Sequence, residues 1–121
     1  TNLIADVMVA RDSLIKSRKA DIQAYLKAVD KAVYLLAAGD EEALKIAGKK
    51  LGVTAKEIAE QLQGVKLFNL DSNKSVAFNK DDPKSLIGNL DLTVKAAKEF
   101  KIISKPMEVK TIYDDSIVNS M

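Results

Sequence analysis

Cysteine and histidine are both missing from this 121-residue chain, and so is tryptophan. Without thiols there are no disulfides and no thiolate nucleophile. Without imidazole every His-dependent triad falls away, and zinc sites of the usual kinds lose their ligands. The lack of cysteine leaves the compartment open. There is no run of about 18 apolar residues and no basic-then-apolar leader, so neither a membrane span nor a retained signal is expected here. Charge of one sign is also scarce. The net charge is only +2 and the basic residues are scattered, which argues against nucleic acid or an acidic membrane surface as partner. Gly-rich phosphate loops, internal repeats and low-complexity tracts are absent.

What remains is 47% hydrophobic and 30% charged, the composition of an ordinary globular protein of one-domain size. The chain opens at Thr1 and runs almost at once into an apolar stretch, which suggests a processed or excised piece.

Leu3 to Ala10 is apolar on both faces, with β-branched Val7 and Val9. This predicts a strand over 3–10 that needs cover on both sides. Arg11 to Lys19 reads as a polar connection, with Ser17 as N-cap for the helix that follows. Ile22, Leu26, Val29, Val33 and Leu36 recur at helical spacing, with Tyr25 and Ala32 widening the stripe. They predict a helix over about 18–38 that stops at Gly39. Asp40 caps a second helix over 41–51, with Glu41 and Glu42 in its first turn and Leu44, Ala47 and Leu51 as its buried line.

Thr54 and Glu57 form a capping box and Val53 and Ile58 a hydrophobic staple, which start a helix over 55–63. Val65 to Leu70 is a second candidate for extended structure, and Asp71 to Asp82 is a polar loop carrying Phe78. Asp82 and Pro83 start the last long helix, over 83–101, lined by Leu86, Leu90, Val94 and Ala97, with Ile87 and Phe100 beside them. Gly88 inside it points to close packing or a bend. The tail from Val109 to Met121 holds at most a short turn over 114–118. The chain therefore reads as mainly α with one or two short strands.

No catalytic constellation can be assembled. The carboxylate pairs Glu41–Glu42, Asp81–Asp82 and Asp114–Asp115 are adjacent in sequence, where capping explains them better than acid/base work across a cleft. Asp71-Ser72-Asn73 opens like a calcium loop but lacks the glycine and the closing glutamate. The chain is thus expected not to be an enzyme, with no catalytic residue, metal or cofactor. Ala47 to Leu62 has helix-turn-helix spacing around Gly52. Its second helix offers Lys56 and Gln61 against Glu57 and Glu60, a poor match to phosphates. A small DNA-binding protein is the alternative reading.

Taken in order, three runs form a pattern: Asp6 to Ile15, Asp21 to Ala38, and Gly39-Asp40-Glu41-Glu42-Ala43-Leu44-Lys45-Ile46. Lys50 to Glu57, Gly64-Val65-Lys66-Leu67 leading to Asn73, Lys101 to Pro106 and Ile112-Tyr113-Asp114 continue it. The set resembles the C-terminal part of nitrate/sulfonate/taurine-type substrate-binding proteins of ABC transporters. Ser17-Arg18-Lys19 departs from it, since that family commonly has a proline-acid pair there. The resemblance implies that 1–121 is a single C-terminal segment of a two-lobed α/β, periplasmic-binding-protein-like fold. A small solute (nitrate, a sulfonate, taurine or a related compound) would lie between the lobes, and an ABC permease in the membrane would be the partner. It implies a periplasmic or extracellular location, membrane-associated, with a lipoprotein anchor as one form. Asn73 and Phe78 match an amide and an aromatic near the cleft in that family, and Arg11 offers a cation for an anionic solute. A segment cut from its sheet should expose apolar surface and self-associate.

Overall fold

The structure, a computed structural model, describes residues 5–121. It is mainly helical, and no strand occurs among the described residues. The strand expected over 3–10 is corrected for its described part. Residues 5–10 have no regular structure, with Val7, Met8 and Val9 exposed, while residues 3 and 4 lie outside the described residues. A strand needs a neighbour to accept its backbone hydrogen bonds, and none stands there among the described residues. The second expected extended run also forms no strand. Residues 65–69 are irregular, and Leu70 already begins a helix.

Two compact units divide the chain. One joins the residues up to Gln23 with Asp71–Met121, and the other is Ala24–Leu70.

In the first unit, α1 (Asp12–Ser17) replaces the expected polar connection. Ser17 is not an N-cap: it ends α1, and its hydroxyl donates back to the Ser13 carbonyl at 2.7 Å. Helix α2 (Lys19–Ala37) begins here, and most of it belongs to the second unit. A short helix, α5 (Leu70–Ser72), runs into a π-helical turn over Asn73–Ala77 where a polar loop was expected. Helix α6 (Leu86–Glu99) packs on that turn and on a 3₁₀ turn at Val109–Thr111, and α7 (Ser116–Asn119) also packs on the π turn. Ala77, Ile87, Ile117 and Val118 are buried among them.

Helix α6 starts three residues later than Asp82-Pro83 suggests. Asp82 instead makes a turn, in which its carboxylate accepts from the Lys84 N–H at 2.7 Å and its carbonyl from the Ser85 N–H at 2.9 Å. Proline suits the second position of such a turn as well as it suits a helix start. Ser85 is the cap, and its hydroxyl accepts from the Gly88 N–H. A side chain at Gly88 would meet Ser85 Cβ at 3.3 Å, so the glycine marks close packing against the cap.

The far end of α6 carries a bond from Ile102 N–H to the Ala97 carbonyl at 2.8 Å and one from Lys101 N–H to Lys98 at 3.0 Å. That closure requires a left-handed residue, and Lys101 supplies it at φ 58° without being glycine.

In the second unit, α2 presents Leu26, Val29, Val33 and Leu36 as a half-buried stripe, though Tyr25 and Ala32 are exposed; Ile22, also half-buried, lies in the part of α2 that belongs to the first unit. Gly39, at φ 71°, ends α2 with paired bonds, Asp40 N–H to Leu35 and Gly39 N–H to Leu36. Helix α3 (Glu41–Leu51) begins with the Ala43 N–H donating to Asp40 Oδ1 at 2.9 Å. Helix α4 (Ala55–Leu62) carries the expected capping box, with Thr54 N–H to Glu57 Oε2 at 2.7 Å and Glu57 N–H to Thr54 Oγ1 at 3.2 Å. Leu44 and Ile58 are buried where α3 meets α4. Leu51 is 67% exposed and drops out of the expected buried line.

Gly48 is the reason these helices approach so closely. A Cβ there would lie 2.6 Å from the Val53 carbonyl oxygen and 3.1 Å from Thr54 carbonyl carbon. The irregular run after α4 is tied to α2 by the Leu70 N–H, which donates to Asp30 Oδ1 at 2.7 Å.

Helix propensity favours alanine over glycine by about 1 kcal/mol, yet Gly48→Ala should lower the melting temperature because backbone atoms block the new methyl. Gly64→Ala, whose Cβ would meet only the Gln61 carbonyl at 3.7 Å, should be neutral or slightly stabilising. Thermal unfolding followed by far-UV circular dichroism compares the two signs. The same assay should show Lys101→Gly gaining about 1 kcal/mol, the cost of a left-handed side-chain-bearing residue.

Bonds from the Thr54 N–H and hydroxyl hold the Glu57 carboxyl below its ordinary value, and Lys45 does the same to Glu41. Groups depressed in the fold stabilise above their unfolded values and lose that contribution as pH falls through the folded ones. Stability should therefore be level near neutrality and decline in acid below the usual carboxylate range. Glu57→Gln keeps an acceptor in the box but cannot titrate, so its melting temperature should fall less steeply with acid.

Candidate functional site

The three residues suggested as ligand contacts all lie in the first unit. Arg11 is exposed at the N-cap of α1, in extended conformation, and its carbonyl accepts from Leu14 N–H at 2.9 Å and Ile15 N–H at 3.1 Å. Asn73 and Phe78 bracket the π turn, both half-buried, and the Phe78 N–H donates to the Asn73 carbonyl at 2.9 Å. In an α-helix, residues five apart point about 140° away from each other. The wider turn closes an i→i+5 bond between them instead. One backbone bond thus links Asn73 and Phe78 across the turn, while the Arg11 carbonyl serves the backbone of α1.

Local chemistry explains the wide turn. The Ser75 hydroxyl donates to the Asp71 carbonyl at 2.8 Å, and Asn79 Nδ2 donates to the Ser75 carbonyl at 3.2 Å. Such back-bonding competes with the regular helical ladder and loosens it. The same bonds place Asp71-Ser72-Asn73 in helix instead of a calcium-binding loop.

Two contacts hold the turn. The Phe78 ring lies against Tyr113, with centroids 6.1 Å apart and planes tilted by 38°. Ser85, 1% exposed, donates its hydroxyl to the Ala77 carbonyl at 3.2 Å while capping α6, and its own carbonyl accepts from Asn89 Nδ2 at 2.8 Å. Phe78 is therefore an anchoring side chain as well as a candidate contact.

Neither of the two main concavities includes Arg11, Asn73 or Phe78. An open groove of ≈ 440 Å³ in the second unit is lined chiefly by Leu36, Leu44, Ala59, Leu62 and Val65, with Gln63 and Lys66 contributing polarity. A shallower apolar shelf of ≈ 360 Å³ follows α6 along Leu92, Ala96, Phe100 and Ile102.

Members of the adjacent carboxylate pairs serve local bonds. Asp114 accepts from the Ser116 N–H at 2.8 Å, and the Ser116 bonds, with Lys19 nearby, keep it below its ordinary value. Asp82 fixes its turn, and Glu41 pairs with Lys45. Among the described residues no group of three carboxylates is placed to hold a metal ion.

Comparison with known protein families, characterised proteins and solved structures finds no match to this chain.

Two residues that shape this region were not singled out by sequence. Tyr113 reaches Phe78 across 35 positions, a pairing no local pattern announces. Ser85 was hidden by the stronger Asp82-Pro83 signal two residues earlier. Removing its hydroxyl takes away a helix cap and leaves the Ala77 carbonyl short of a donor. Ser85→Ala should therefore cost about 2 kcal/mol, read as a lower denaturant midpoint at unchanged slope.

Proposed function

We propose that this chain is the C-terminal part of the solute-binding component of an ABC importer, a protein that captures a small solute and passes it to a membrane permease without chemistry of its own. The observation that carries this reading is the uncovered apolar surface around 5–10. This run has the composition of a strand buried on both faces, yet Val9 is 89% exposed and no sheet stands beside it among the described residues. Phe100 and Ile102, at 75% and 76% exposed, add to the surface that a larger fold would cover. The resemblance from Asp6 to Asp114 supplies the identity of that larger fold, a two-lobed α/β binding protein. Asn73 and Phe78 are the contacts this segment would contribute, an amide to orient a polar edge and a ring to pack on. A periplasmic or extracellular location follows from the same reading. No helix among the described residues is long and apolar enough to cross a membrane.

The α3–α4 pair favours a second reading, since its tight glycine-assisted turn suits a DNA-binding helix-turn-helix. Its charges speak against it. Lys56 lies 3.8 Å from Glu60, and Glu57 is held ionised in the capping box. Measuring affinity for duplex DNA at low salt separates the readings: the transport reading expects no binding, and tight, salt-sensitive binding would replace it.

The transport reading expects the isolated chain to bind an apolar dye strongly and to sediment as more than a monomer. A compact monomer that excludes the dye would contradict it. On the protein encoded by the complete reading frame, a thermal-shift screen with nitrate, taurine and short alkanesulfonates should raise the melting temperature with one class. The same solutes should leave this segment alone unshifted.

A further inference from the structure

We draw no further inference here: the strongest candidate, the apolar shelf that Leu92, Ala96, Phe100 and Ile102 form along the C-terminal half of α6, is an exposed face, and nothing in the structure shows what covers it.

Discussion

Close approach at Gly48 sets the geometry of the second unit. The carbonyl of Val53 occupies the space a side chain would need, so α3 and α4 can bury Leu44 and Ile58 between them with only a short connection. The Gly48 carbonyl also accepts from both Gly52 and Val53, which closes α3 on a left-handed glycine and aims the chain at the Thr54 cap. One small residue thus serves packing and termination together. Ser85 has the corresponding position in the first unit, where a single buried hydroxyl starts α6 and holds the π turn. Both arrangements satisfy backbone groups that a helix end leaves without partners.

Such local bonding matters because the apolar cores are thin. Among the described residues the buried apolar side chains are Leu44, Ile58, Ala77, Ile87, Ile117 and Val118, and two of these belong to the second unit. Larger side chains such as Tyr34 and Phe100 stay outside. An exposed single aliphatic residue is ordinary on any protein surface, but a two-faced β-branched run without a sheet is not. That contrast is why the uncovered segment at 5–10 weighs more in the functional reading than any side chain with reactive chemistry.

The wide turn at 73–77 shows how fold and candidate site are linked. A polar run reads as a loop because serine, asparagine and aspartate compete with the helical ladder through their own side chains. Ser75 and Asn79 bond to carbonyls four residues earlier, and the backbone stays helical with a wider period. The spacing of Asn73 and Phe78 then becomes that of one backbone bond, from the Phe78 N–H to the Asn73 carbonyl.

The sequence by itself determined the helices that carry their own start and stop signals. Gly39, Asp40, Gly52, Thr54 and Glu57 act within five residues of their partners, so α3, α4 and the end of α2 stand where their patterns placed them. Tertiary structure decided what depends on distant partners. Whether 5–10 becomes a strand depends on a neighbouring strand, Phe78 depends on Tyr113, and the burial of the Ser85 cap depends on the Ala77 carbonyl. Leu51 and Phe100 fit apolar stripes yet remain exposed, because periodicity tells which side of a helix is apolar and not whether anything covers it. Local hydrogen bonds are written into neighbouring residues. Burial requires a second surface, and that is set only when the chain meets one.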